Sequence, residues 1–526
     1  LIMARSAVVI QLGQEGLGQQ AAGDDHVSGM VFYGTAPGSF NTTRQQAVFS
    51  VADAESKGLT NDYSDETPAR AIVTITGTPA EGETLTLTVT VPVPATAANP
   101  TGVVTVTLGT GTAPATPTVT TYAAAVVAAI NALTYSHGYT ASNSSGVITV
   151  IAAPGLGVCL NTGTPLAVSS TGSGSSYAIT QQFGTGSGGA TAGVASKKAL
   201  WHYHVSQFFR QNPGGVLWLG FFNSVSSTYA DIVTLANAAK GAIKQMGVYD
   251  NTAVTAANIS ANSTKMQARC VDLFAGYLPL GALIYTPNVR GTVNDITTLE
   301  NEQTLSNYYV TVDIAQDGEA QGAGLYITSG MSVGTLGTAL GVLSRIAVNQ
   351  NLGEIGTCNV SDGTELAVPA FINAQKVSAL ASSALDQLDT YRYLFFTTMP
   401  NITGTFYNND WTNIVQTSPY YRISRNRVMS KAVRLCYAAL VPLLKSQIEL
   451  NTDGTITDVS VAKFQSAVIP VGAQMRANSE ISNMRVTVDP AQNVIATGKV
   501  IVAVGIQPTV TADFIYVPIA FKANLA

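Results

Sequence analysis

Apolar and polar positions alternate most regularly near the end of the chain. Residues 484–488 (Met-Arg-Val-Thr-Val) and 494–506 both follow a two-residue period, and the Asp-Pro-Ala-Gln-Asn stretch between them is turn chemistry. The pattern predicts a β-hairpin that includes Val486, Val488, Val500, Val502 and Val504. Pro508 breaks the ladder, and a further apolar strand follows at Phe514, Ile515, Tyr516, Val517, Pro518, Ile519, Ala520 and Phe521. Pro518 has no N–H to donate, so this strand belongs at a sheet edge. An exposed apolar strand of this kind is a pairing site for another chain. At the other end, Ala7, Val8, Val9, Ile10, Gln11 and Leu12 form a short β-prone run followed by Gly13, Gly16 and Gly18. The glycines make fixed packing on its own domain difficult, so the run reads as an arm, with an ordinary edge strand as the alternative.

Between these ends the period changes twice. Residues 28–34 read as a buried strand and 49–58 as a short helix. From 69 to 183 the chain turns Thr/Val/Gly-rich with few charges, predicting strands at 72–76, 84–91, 103–108, 147–151 and 166–169 around one helix at 122–133. Residues 184–193 are a Gly/Ser/Thr/Ala linker. Apolar strands at 216–222, 280–285, 307–313 and 393–398 then alternate with helices at 229–246, 263–276 and 333–348, and a long helix spans 427–450. Helical crossovers between strands imply a central, largely parallel sheet. The fold class is therefore multidomain, α/β in the body and α+β at the end.

The helix at 427–450, the hairpin with its Val488-Asp489-Pro490 turn, and the closing Ile-Tyr-Val-Pro-Ile-Ala-Phe resemble the C-terminal domain of contractile tail sheath proteins of bacteriophages and related injection machines. The resemblance covers roughly the last hundred residues well and the preceding α/β region more loosely. Residues 69–183, with strands, a helix and a closing Gly155-Leu156-Gly157, are similar to the insertion in sheaths of Mu-like phages. The resemblance implies an N-terminal strand-lending arm (1–25), an α/β body (26–68 with 184–405), an outer insertion (69–183) and a C-terminal domain (406–526). It also implies stacked hexameric rings of this chain around a tail tube, flanked by baseplate and tail terminator proteins, in a virion tail assembled in the host cytoplasm. Both terminal strands would pair with neighbours, the hairpin acting as acceptor, and work would come from subunit packing without a cofactor. The sheath of a secretion or extracellular injection apparatus is the rival within that class, and a secreted β-rich adhesin or hydrolase the rival outside it.

Composition sharpens this picture. Only 11% of residues are charged, so solubility rests on small polar groups, as suits close subunit packing. A net charge of −5 argues against a general nucleic-acid binder. No apolar window approaches a membrane span, and the start lacks a signal-peptide core. Cys159, Cys270, Cys358 and Cys436 are far apart and read as buried thiols. One local charge pattern stands out, because residues 411–448 contain no Asp or Glu. There Arg427, Lys431, Arg434 and Lys445 fall on one side of the predicted helix. The resemblance assigns this stripe to an acidic band on the tube protein, with a solvated helix face as the alternative.

Catalytic chemistry has no sequence support: there is no Gly-x-Ser-x-Gly elbow, no His-Glu-x-x-His, no P-loop, and no Cys with a nearby His. His202 and His204 could ligate a metal if extended, but in a helix they would join an aromatic stripe. Asp313 and Asp317 could form an acid pair, with a solvated strand end as the alternative.

Overall fold

The computed structural model describes residues 24–184 and 192–521. Its centre is a six-stranded sheet built from β1 (Val27–Tyr33), β2 (Gln45–Val48), β3 (Val216–Phe222), β4 (Gln245–Ala253), β5 (Ala282–Asn288) and β6 (Val310–Val312). The spatial order is β6-β5-β4-β1-β3-β2, parallel throughout except for β2, which runs antiparallel to β3 at one edge. The largely apolar strands β1, β3 and β5 fit burial on both faces. Along β1, Met30 and Phe32 enter one core while Val31 and Tyr33 enter the other.

Helices cover both faces. On the Met30 and Phe32 side, α1 (Lys198–Gln211) packs against α4 (Leu336–Arg345); on the other side lie α2 (Asp231–Ala238) and α3 (Ala256–Ala275). Gly337 and Gly341 let α4 meet α1 backbone to backbone, since a Cβ at Gly337 would lie 2.0 Å from the carbonyl oxygen of His204.

The helix expected at 229–246 is two elements. Lys240 and Gly241 both adopt positive φ, 51° and 79°, just after α2 ends, and the chain returns as the central strand β4. The strand expected at 393–398 is instead a hairpin of Phe396–Met399 with Ile402–Tyr407, touching the parallel sheet through the Asp313–Leu394 bridge. The helix expected to reach residue 450 is α5 (Ile423–Leu440), which gives way at Pro442 to a single 3-10 turn, Val441–Leu443.

Residues 69–183 hold a hydrophobic cluster drawn wholly from within that stretch. They form a four-stranded and a three-stranded antiparallel sheet with the helix Val119–Ala132. Two strands absent from the sequence reading, Thr140–Ser144 and Ser175–Gln181, belong to the larger sheet. After α5 come α6 (Asp458–Ala477) and the hairpin β7 (Ile481–Val488) and β8 (Val502–Pro508). Val428, Ala432, Val471, Met475 and Ile481 bind these three elements together.

Candidate assembly interfaces

The segment following β8 crosses one side of the body and then leaves it. Asp513 is its last ion-paired residue among those described, joined to the Nη2 of Arg422. Arg422 precedes α5, is 3% exposed, and also donates from Nη1 to the fully buried Asp410 at 2.7 Å. Beyond Asp513, the six large apolar side chains at Phe514, Ile515, Tyr516, Val517, Ile519 and Phe521 are exposed by 69% (Val517) to 110% (Phe521). No strand forms over these residues, so the expected terminal strand is an extended segment without a ladder inside the described chain.

The hairpin is a separate two-stranded sheet, with Val486 opposite Val504 and Val488 opposite Val502. Met484 and Ile506 face α5 and α6. Val500 lies outside the ladder, contrary to the alternation. The Asn493 side chain caps a helical turn, Val494–Thr497, and Gly498 closes it at φ 60°. Ala7, Val8, Val9, Ile10, Gln11 and Leu12 lie outside the described residues.

The cationic stripe on α5 does not face solvent as a stripe. Arg427 is 2% exposed and donates to the carbonyls of Leu343 (2.6 Å), Ile346 and Ala347, satisfying the C-terminal end of α4. Burial pulls its guanidinium down to about 10. Lys431 bridges Asp25 and Glu480, both at 2.6 Å, and Arg434 reaches Asp25 at 2.9 Å. Despite the cost of burial, Lys431 and Arg434 hold the Asp25 carboxyl below its usual range. Lys445 is exposed but lies past the end of α5. Arg427, Lys431 and Arg434 therefore do not form the free cationic stripe that the helical spacing predicts: within this chain their partners are acids and carbonyls distant in sequence.

His202 and His204 sit in α1. His202 Nε2 meets Glu55 at 2.9 Å, while His204 is fully buried beside Phe32, Tyr203 and Tyr249 and is pushed down to about 3 by desolvation. Asp313 and Asp317 are buried rather than solvated, and burial raises both to about 6. Asp313 accepts from Thr286, Ala315 and Thr335; Asp317 accepts from Ala320, Ala323 and Leu366. These acids tie strand ends to the following turns. Cys270 and Cys358 are buried, Cys159 and Cys436 half-buried, and all four are free thiols. Among the described residues no cluster of three metal-ligating side chains occurs, and no helix is long and apolar enough to cross a membrane.

The sequence reading missed the charge knots at Arg422 and Lys431. The absence of acids from 411–448 was their one signal, because cations inside a fold need partners from elsewhere.

The chain belongs to the DUF2586 family, whose N-terminal domain matches residues 6–411 and whose C-terminal domain matches residues 420–526. A comparison with curated proteins finds no match. Among solved structures, the chain is similar to one from the 6-fold symmetrised cryo-EM baseplate of the anti-feeding prophage. That match has 13% identity and a TM-score of 0.42, covering 61% of this chain and 80% of the other. It is similar also to a chain of the PVC sheath complex, an extracellular contractile injection system in its contracted state. Here identity is 13% and the TM-score 0.41, covering 62% and 80%.

Proposed function

We propose that this protein is a self-assembling structural subunit of a contractile tail sheath, linked to its neighbours through its terminal segments. The observation that carries this reading is the apolar run 514–521, held at its root by Asp513 on Arg422 and otherwise uncovered. Six large apolar side chains left in water are a standing cost, and burying each against another surface is worth about 1.5–3 kcal/mol. Ordering the backbone consumes about 1–2 kcal/mol per residue. The net is a few kcal/mol per contact: weak singly, yet adequate when repeated through a lattice. The open edges of the β7–β8 sheet offer the matching acceptor. The low charge density and the sheath-like order of elements at the chain end support the same reading.

The test is removal of the residues after Asp513. Purified full-length protein should form helical polymers in negative-stain microscopy, while the truncated protein stays dispersed with an unchanged circular dichroism melt. Polymers from the truncated protein would refute the role of the terminal segment.

A further inference from the structure

An open cleft of ≈ 1460 Å³ lies beside the root of the terminal segment, with Thr509 to Phe514 forming one wall. Its lining includes Arg392 and Trp411. Two guanidiniums lie over the Trp411 ring, that of Arg392 at 4.3 Å and that of Arg422 at 4.5 Å. Both arginines are only 3% exposed, yet their situations differ. Arg422 is paired with Asp410 and Asp513; among the described residues Arg392 has no salt bridge or hydrogen bond from its side chain, its Nε is buried without a partner, and the nearest compensating charge is that of Asp389. The Asp389 carboxylate, three residues earlier, accepts at Oδ1 from Asn408 Nδ2 (2.7 Å) and Trp411 Nε1 (2.9 Å). Arg392 also holds φ at 75°, a conformation that favours glycine.

A guanidinium with no hydrogen-bond acceptor and a buried, unpartnered Nε has a strong preference for a carboxylate, which its planar fork can engage in two parallel hydrogen bonds. The charge around it narrows the ligand. Glu354, Asp386, Asp389 and Asp513 also line the cleft and oppose a multiply charged anion such as phosphate. The carboxamides of Gln303 and Gln416 line it as well, and these can pair with both the donors and the acceptors of a peptide backbone. We propose that the cleft takes a peptide segment bearing a single Asp or Glu carboxylate, supplied by a second copy of this chain, with the carboxylate seated on Arg392 over Trp411. The choice of a second copy rests on the assembly proposed above, because the wall of the cleft is the root of the segment that would reach a neighbour.

The probe is N-acetyl-aspartate N-methylamide, added to dispersed full-length protein at constant ionic strength and read by indole fluorescence, with Trp411→Phe identifying the contribution of that ring. Wild type should give a saturable change, weakened at least tenfold in Arg392→Met and partly kept in Arg392→Lys, which retains the charge but loses the fork. The asparagine analogue of the probe, alike in shape but uncharged, should give none. Equal responses to both probes, or no saturable response in wild type, would overturn the site even if Arg392→Met folds poorly. In wild-type polymers the site should be closed to the probe, and Arg392→Met polymers should come apart at lower salt. Polymers that leave Arg392 open to the probe would overturn the second copy as the source, while failure of wild type to polymerise would count against the assembly reading and not against carboxylate binding.

Discussion

At the scale of single residues, the interior carries more ionisable groups than a chain with 11% charged residues leads one to expect. Glu302 is the clearest case. It is fully buried, accepts from Ser260 and from Asn413 Nδ2 (2.6 Å), and is raised to about 7 by desolvation. An unfolded glutamate titrates near about 4.3. Between about pH 4.3 and 7 the folded state therefore holds more protons than the unfolded state, and stability falls as pH rises through that window. Glu302→Gln removes this dependence while keeping the shape. Asn413 Oδ1 is buried without a partner, so its amide can turn to receive the new donor. The variant should exceed wild type by roughly 1–3 kcal/mol near pH 8 and converge with it near pH 4. Urea midpoints at the two pH values decide this, and an equal offset at both would show that Glu302 does not titrate there. Asp313 and Asp317 contribute a slope of the same sign to both proteins, so the difference isolates Glu302. None of this was legible in the sequence, because Asn413 lies 111 residues from Glu302 and neither stands in a motif.

At the scale of elements, the contact of α1 with α4 depends on two glycines spaced one turn apart. A methyl group at Gly337 would meet the His204 carbonyl at 2.0 Å, and one at Gly341 would meet the Phe208 carbonyl at 2.7 Å. Both are backbone atoms that can move only if the helices separate. Gly324, in the helix Gln321–Ser329, has nothing within 4 Å of the same position. Gly337→Ala should therefore cost about 3 kcal/mol or more, as overpacking does, whereas Gly324→Ala should gain about 0.5–1 kcal/mol from helix propensity. Denaturant unfolding of the two variants separates them; similar effects would mean that α4 does not sit this close to α1. The parallel sheet was readable because β1, β3 and β5 are continuous apolar runs. The strand β4 was hidden because Gln245, Asp250 and Asn251 interrupt its apolar residues and the helical pattern of α2 runs into it without an evident stop. The turn at Val494–Thr497 was hidden for the opposite reason: four residues satisfy a strand and a helical turn equally, and only the capping by Asn493 and Gly498 decides between them.

At the scale of the whole molecule, residues 69–183 are joined to the body at a narrow neck. Thr67 and Val194 exchange backbone hydrogen bonds, N to O at 3.1 and 2.9 Å, so the outgoing and returning strands are already paired before the inserted stretch begins. Its hydrophobic cluster contains no body residue. A composition shift near Pro68 and the glycine-rich linker are the sequence signals for limits at 69 and 183, whereas the Thr67–Val194 bridge is a long-range pairing that no local pattern marks. Contacts beyond the neck would be lost on excision: Glu66 receives the N–H groups of Gly155 and Gly157, Lys376 donates to the Ala95 carbonyl at 3.1 Å, and residues 155–160 pack on Tyr63 and on the helix Gln321–Ser329. Lys376 keeps Glu319 as a partner at 2.6 Å, but Glu66 would be left as a bare carboxylate beside the neck. Joining Pro68 to Gly193 through a short Gly/Ser turn, with Glu66→Gln to remove that charge, should give a folded body whose melting midpoint lies within a few degrees of the parent. The excised stretch, expressed alone, should fold with its own cooperative transition. If the stretch projects from an assembled tube, the shortened protein should also polymerise into tubes of smaller outer diameter in negative stain. A shortened protein that folds but gives no tubes, under conditions where the parent does, would place the insertion between subunits rather than outside them.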